Sequence, residues 1–168
     1  MAAYRPPVFP AHEADAPLPK SPDLLAVERP VEAGPCLADI RVLVVEDDED
    51  GRDLICGILQ RAGATVLCTE SVAKAMEGVY HSFDPDVILT DYSMPGADGL
   101  DLIREFRAAP SNRTVSVPIL VLSAHSEPHW RDRALAAGAA DLLVKPFNPA
   151  ALVARIASAV ESWRRGPH

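Results

Sequence analysis

Five polar side chains of types that can act together on a cation or a phosphoryl group stand at or near the ends of apolar runs. Glu46 and Asp47 directly follow IRVLVV, and Asp91 ends DVILTD. Ser123 stands near the end of VPILVLSA, and Lys145 follows DLLV. Desolvating an unpaired carboxylate is costly, so a buried strand has no use for one in its interior. The acids therefore belong at the mouths of these runs, where they meet a ligand or water.

Clustered carboxylates repel one another unless a cation joins them, and Mg²⁺ prefers oxygen ligands in octahedral geometry. Glu46 or Asp47 with Asp91 would form half of such a cage and leave metal-bound waters free for a phosphate. A carboxylate so placed can attack a phosphoryl group and form an aspartyl phosphate. The metal would then bind one phosphoryl oxygen, the Lys145 ammonium a second, and the Ser123 hydroxyl with a backbone amide a third.

The apolar periodicity predicts the elements that must bring these residues together. Five buried strands are predicted at 40–45, 64–69, 86–91, 117–124 and within 140–147. Strands joined by helical crossovers are parallel, so the expected fold is α/β, a doubly wound five-stranded parallel sheet with five helices. The functional crevice of such a sheet lies outside the carboxyl ends of its strands, where all five polar residues fall.

Helical spacing of apolar side chains predicts the five helices between and after the strands. They are expected around 54–62 with Gly63 closing the helix, after an N-cap at Ser71, over 99–108, over 126–138 with proline in the first turn, and along the stripe Leu152, Ile156, Val160 and Trp163.

The first 38 residues differ in composition from the rest. Eight of the 16 prolines fall there, and proline disfavours both helix and sheet because it fixes its own φ and supplies no amide donor. Residues 1–38 are therefore predicted to be a disordered N-terminal tail, with DLLAV at 23–27 as its one apolar segment, and residues 39–168 to be the folded domain.

Charge and cysteine content exclude several function classes. A net charge of −8 argues against direct nucleic-acid binding, which needs a basic face. No apolar run approaches the ~20 residues that span a bilayer, and the first ten residues lack the apolar core of a signal peptide. Three widely spaced cysteines, Cys36, Cys56 and Cys68, fit buried thiols in a reducing compartment better than a zinc site or a disulfide framework. A soluble cytoplasmic protein without membrane insertion is expected.

The segments VLVVEDD, DVILTDYSMPGADGL, PILVLSA and LLVKPF resemble, in order and spacing, the receiver domain of two-component response regulators (CheY-like). The resemblance covers about 40–163. It implies the flavodoxin-like strand order 2-1-3-4-5, which places the first and third strands side by side.

By this resemblance Asp91 is the phosphoacceptor. Glu46 and Asp47 match the family's acidic pair, which holds Mg²⁺ together with Asp91 and the backbone carbonyl of Ser93. Ser93 also occupies one of the positions that tune the lifetime of the phosphate.

The resemblance assigns Ser123 as the switch hydroxyl and Lys145 as the lysine that pairs with the phosphate, and it implies a cis bond before Pro146. His125 occupies a second lifetime-tuning position, although an exposed loop histidine is an equally good interpretation. The family usually has Tyr or Phe three residues before the lysine, where this sequence has Leu142. The usual rotation of an aromatic ring is therefore absent, and Leu142 is expected to be at least partly buried at rest.

The implied function is a phosphorylation-dependent signalling module rather than an enzyme. A histidine kinase or a histidine phosphotransfer protein would donate the phosphoryl group in an Mg²⁺-dependent reaction. No output domain is visible after the last predicted helix, so signalling is expected through an unidentified downstream protein. A homodimer through the face of helix four, strand five and helix five is considered as well.

Three alternatives belong to other classes. A degenerate receiver would bind proteins without phosphorylation, although the complete acceptor set opposes this. A haloacid-dehalogenase-type phosphotransferase would need a second aspartate where this sequence has Ser93. A flavodoxin would need a hydroxyl-rich phosphate loop after the first strand, where the acids here would repel phosphate.

Overall fold

The computed structural model describes residues 36–94, 97–108 and 116–166, all within one compact unit that spans residues 33–168. The predicted tail lies almost entirely outside the described residues, so its disorder stays a prediction. Leu37, which the sequence assigned to the tail, is fully buried, and its backbone N–H donates to the carbonyl of Ala62 at 2.8 Å. Leu37 stands alone among small and polar residues, so no apolar periodicity marks it as part of the domain.

Among the described residues, five parallel strands form one sheet in the order β2-β1-β3-β6-β7. Their bounds are β1 Arg41–Val45, β2 Thr65–Thr69, β3 Val87–Asp91, β6 Ile119–Ser123 and β7 Asp141–Val144. Two two-residue strands, β4 (Ser93–Met94) and β5 (Ala97–Asp98), pair antiparallel outside it. The predicted order 2-1-3-4-5 of the main strands is confirmed, and β1 and β3 are neighbours.

Five helices are present among the described residues. They are α1 Glu49–Arg61, α2 Val72–Tyr80, α3 Gly99–Ala108, α4 Pro128–Ala136 and α5 Pro149–Arg165. The predicted N-cap of α2 is confirmed, since the Ser71 hydroxyl accepts from the N–H of Lys74. α4 begins later than predicted, because Pro128 occupies its start and disfavours a helical conformation for the preceding residue.

Alternating side chains of each strand point to opposite faces of the sheet, and each face carries its own core. Val42 and Val44 of β1 pack with α1 and α5, whereas Leu43 and Val45 pack with α2 and α3. Because both faces are covered, the strands read as continuous apolar runs.

The expectation of free thiols is wrong for two of the three cysteines. Cys56 of α1 and Cys68 of β2 form a disulfide, with a Cα–Cα distance of 6.6 Å, whereas Cys36 is free and exposed. The two positions are brought within bridging distance only when α1 folds back against the neighbouring strand, which sequence spacing does not reveal. Within the described residues, no helix is long and apolar enough to cross a membrane.

Candidate functional site

The strand order brings the predicted residues to one rim of the sheet. Glu46 directly follows β1, and Asp91 is the last residue of the adjacent β3. Ser123 ends β6, and Lys145 follows β7. Backbone hydrogen bonds continue past the strand ends, from the Lys145 N–H to the Ser123 carbonyl at 2.7 Å. The rim is therefore held by the same ladder that builds the sheet.

Three carboxylates form a cluster at this rim. Glu46, Asp47 and Asp91 each offer an oxygen, and these oxygens lie within 4.8 Å of one another. Glu46 and Asp91 are buried, with 2% and 6% of their surface exposed, whereas Asp47 is exposed. Three oxygens converging at this spacing, with one side open to water, fit a hard divalent cation such as Mg²⁺, which retains several waters. The carbonyl of Ser93 stays a predicted ligand.

Lys145 joins two of these acids. Its ammonium lies 2.7 Å from Oε2 of Glu46 and 2.6 Å from Oδ1 of Asp91. Desolvation by burial is the largest influence on Lys145 and by itself would lower its pKa. The hydrogen bonds and charges of Asp91 and Glu46 together outweigh burial, so the pKa of Lys145 is raised. Lys145 therefore carries its charge at neutral pH.

At Glu46 burial outweighs the influence of the partner groups, whereas at Lys145 the partner groups outweigh burial. Desolvation by burial raises the pKa of Glu46, and the hydrogen bond from Lys145 opposes this without reversing it, while the charge of Asp91 adds to the rise. A bound cation would favour the ionised form of this carboxylate.

Asp91 is held on both of its carboxylate oxygens. The backbone N–H of Ser93 donates to Oδ2 at 2.8 Å, while Lys145 contacts Oδ1. Gly99, the first residue of α3, packs directly over the end of β3. A Cβ at position 99 would lie 2.4 Å from the Asp91 carbonyl oxygen, so only glycine permits this approach.

Comparison with known proteins identifies the family. The family model described as the response regulator receiver domain matches residues 42–157, which is more than half of the chain. The chain belongs to this family. Since membership fixes both fold and class, the phosphotransferase and flavodoxin alternatives no longer apply, and this is a receiver domain of two-component signalling.

A curated relative matches this chain over part of its own length. The receiver domain is 35% identical over 116 residues to the phosphate regulon transcriptional regulatory protein PhoB of Escherichia coli (strain K12), covering 69% of this chain and 49% of PhoB. The chain therefore spans about half the length of that curated relative.

Solved structures of other receiver domains are similar along nearly their whole length. A putative response regulator from Chloroflexus aurantiacus is 32% identical with a TM-score of 0.67, covering 73% of this chain and 98% of that one. The receiver domain of the sensor histidine kinase PA1611 from Pseudomonas aeruginosa is 30% identical with a TM-score of 0.65, covering 74% and 99%. That structure has a magnesium ion coordinated in the active-site cleft.

Ser123 is fully buried, and its hydroxyl oxygen accepts from the backbone N–H of His125 at 3.0 Å. Leu142 is also buried, with 7% of its surface exposed, and packs into the core formed with α2, α3 and α4. The expected burial of Leu142 is confirmed. This receiver domain therefore has no aromatic side chain at position 142 that could turn inward.

The sequence did not reveal three features around the rim. Asp48, which directly follows the acid pair, caps α1 by accepting from the Gly51 N–H at 2.7 Å. Arg52 donates to the carbonyls of the acid pair. His125 is stacked on Trp130 rather than free in a loop. The sequence shows Arg52 near the start of a helix and Trp130 shortly after Ser123. Neither position predicts which group the side chain contacts.

Proposed function

We propose that this receiver domain accepts a phosphoryl group on Asp91, in an Mg²⁺-dependent reaction, from a histidine kinase or a histidine phosphotransfer protein. The observation that carries the proposal is the position of the Lys145 ammonium. It bridges Asp91 and Glu46, at 2.6 and 2.7 Å, inside a cluster of three acids. A cationic group beside a carboxylate at an open rim is the arrangement that phosphoryl transfer needs, because such transfer depends on positioning and charge neutralisation.

In the transfer step a carboxylate oxygen of Asp91 attacks phosphorus. The new O–P bond forms as the P–N bond of the donor phosphohistidine breaks, and the electron pair returns to the imidazole nitrogen. The Ser93 N–H bonded to Oδ2 fixes the orientation of the carboxylate, so the nucleophile needs little reorganisation.

The remaining polar groups would hold the product. Lys145 bears a positive charge at the rim and can transfer its contact from Asp91 to a phosphoryl oxygen. The Ser123 hydroxyl can turn from the His125 N–H, its partner at 3.0 Å, and donate to another phosphoryl oxygen. Ser93 and His125 would flank the group and influence how fast water reaches it.

Glu46, Asp47 and Asp91, with the carbonyl of Ser93, would hold Mg²⁺. The bound ion would neutralise charge that builds up on the phosphoryl oxygens. Asp47, being exposed, lies on the side from which a hydrated ion would enter.

Output is proposed to pass through binding of a downstream protein, with a homodimer through α4, β7 and α5 as one form of it. Asp141 of β7 ties these elements together, because its carboxylate contacts Arg131 of α4 at 2.6 Å and Arg155 of α5 at 2.7 Å. Leu135 and Val144 leave apolar surface exposed nearby, at 40% and 38%.

The test is labelling of the full chain with a radioactive small acyl phosphate, with Mg²⁺ or with EDTA. Wild type is expected to acquire an alkali-labile label only with Mg²⁺, and Asp91→Asn to acquire none. Asp53→Asn, which changes an exposed acid of α1, is the matched control and should label like wild type. Undiminished labelling of Asp91→Asn would sink the proposal, and absence of labelling in wild type would favour a receiver that acts without phosphorylation.

A further inference from the structure

Arg52 contacts the backbone of both acids that follow β1. Its Nη1 donates to the carbonyl of Glu46 at 3.0 Å and to that of Asp47 at 3.3 Å. The Glu46 N–H in turn donates to the carbonyl of Thr69 at 3.1 Å. The segment that carries two of the three clustered carboxylates is therefore fixed from β2 on one side and from α1 on the other.

The manner of contact distinguishes Arg52 from Lys145. Lys145 uses its charge on the carboxylates themselves, so it competes with a metal for the same oxygens. Arg52 binds carbonyl oxygens and leaves the carboxylates of Glu46 and Asp47 available. It thus brings positive charge to a crowded acidic segment without occupying a ligand atom.

We propose that Arg52 is a positioning residue of the metal site, an inference that rests on the proposed function. It aims the two side chains by holding their peptide groups. Its backbone is fixed in the first turn of α1, because the Arg52 N–H donates to the carbonyl of the N-cap residue Asp48 at 2.9 Å. Partners that orient ligands from outside the first coordination shell typically change metal affinity by about 10–100-fold when removed.

The experiment measures Mg²⁺ affinity by isothermal titration calorimetry on the full chain. Arg52→Met keeps the aliphatic stem and is expected to raise the dissociation constant about tenfold or more. Arg52→Lys should fall between, since its ammonium has donors for both carbonyls but lies one bond closer to Cα than Nη1 does. Arg61→Met, at the other end of α1, is the matched control and should bind like wild type.

Labelling of Arg52→Met by the acyl phosphate should return toward the wild-type level at saturating Mg²⁺, which a misfolded variant would not show. An unchanged dissociation constant for Arg52→Met, or an equal rise for Arg61→Met, overturns the role of Arg52. Failure of wild type itself to bind Mg²⁺ would instead overturn the proposed function.

A second, independent observation concerns Trp130 in the first turn of α4. The His125 ring is stacked on it, with centroids 4.4 Å apart and planes 17° apart. The Tyr92 ring meets it edge-on at 5.1 Å. Tyr92 directly follows Asp91, and His125 is the residue whose N–H holds the Ser123 hydroxyl. The residue after the acceptor and the residue that holds the Ser123 hydroxyl therefore both contact the indole ring of Trp130.

If the Ser123 hydroxyl turns to a phosphoryl oxygen, the His125 N–H loses its acceptor, and the loop that presents the imidazole to Trp130 is released. Leu142 cannot respond in the usual way because it is already buried. We infer, again on the basis of the proposed function, that Trp130 takes over the role of the missing aromatic residue and transmits the state of Asp91 to α4.

The experiment uses intrinsic fluorescence. Because the chain has two tryptophans, Trp163→Phe leaves Trp130 as the only one. Beryllofluoride with Mg²⁺ is expected to change the intensity of Trp130 emission, since unstacking from imidazole alters its quenching. The change in emission should be lost when Asp91→Asn or His125→Ala is added to Trp163→Phe. The variant Trp130→Phe, which retains Trp163, should show little change in emission.

Binding of beryllofluoride is checked separately by the rise in melting temperature. A rise in melting temperature without any change in Trp130 emission overturns the relay through Trp130. Absence of the rise in wild type would point instead to failure of the proposed function.

Discussion

At the scale of single residues, burial and the contact with Lys145 have opposite effects on the pKa of Glu46. Burial raises its pKa, and the contact with Lys145 reduces but does not cancel the effect. A raised folded-state pKa means that the native protein binds this proton more tightly than the unfolded chain does. Glu46 therefore lowers the free energy of unfolding as pH rises from the ordinary pKa of 4.5 through the folded-state pKa. Above the folded-state pKa this loss of stability is complete and remains constant.

Glu46→Gln is accordingly expected to raise the melting temperature at pH 7 without Mg²⁺. At a pH below 4.5 the gain should vanish, because wild-type Glu46 is then protonated in both states. Glu49→Gln, which removes an exposed acid of α1, is the matched control and should not raise the melting temperature at pH 7. Thermal denaturation between pH 4 and 7 checks this, and a stabilisation by Glu46→Gln that is equal at both ends would contradict the raised pKa.

Gly99 supports the acceptor through close approach. Gly99→Ala would place a methyl group 2.4 Å from the Asp91 carbonyl oxygen, and relief of this overlap is expected to cost about 1–3 kcal/mol of unfolding free energy. Gly57→Ala, in the interior of α1, should instead be neutral or stabilising by up to about 1 kcal/mol, because its Cβ meets only a flexible arginine side chain. Urea denaturation distinguishes them, and equal effects would refute the packing of α3 on β3.

At the scale of elements, periodicity predicted the strands and helices, and the acids at strand ends predicted the rim. The adjacency of β1 and β3 came from family resemblance, since spacing alone does not order parallel strands. The side-chain contacts between elements could not be predicted from the sequence. The Cys56–Cys68 bond depends on the register of α1 against β2, and the bonds from Arg52 depend on the path of the loop before α1.

The disulfide joins α1 to an edge strand of the sheet. Reduction is expected to lower the free energy of unfolding by about 2–4 kcal/mol, because a bond that closes a loop between positions 12 residues apart restricts the unfolded chain. Cys56→Ser should reproduce this loss without reductant, whereas Cys36→Ser should not. Denaturation with and without dithiothreitol checks the prediction, and insensitivity of wild type to reductant would show that the bond contributes no stability.

At the scale of the whole molecule, a hydrophobic core covers each face of the sheet. The polar side chains of the site therefore lie at the carboxyl ends of the strands. The packed unit reaches at least to Leu37, which is fully buried.

Deleting residues 1–35 is therefore expected to leave the melting temperature nearly unchanged. Deleting residues 1–38 should destabilise the domain, and Leu37→Ala alone should cost about 2–5 kcal/mol, the usual range for emptying a buried leucine site. A large loss from the shorter deletion would mean that part of the tail, such as DLLAV, packs on the domain.

Asp91 is proposed to be the residue that receives the phosphoryl group. Borohydride reduces an aspartyl phosphate to homoserine, so treatment of the phosphorylated full chain marks the acceptor covalently, and peptide mass spectrometry then locates it. The expected result is homoserine at position 91 alone, formed with Mg²⁺ and not with EDTA. Homoserine at position 47 or at any other aspartate, or a yield at position 91 that is unaffected by EDTA, would contradict the account.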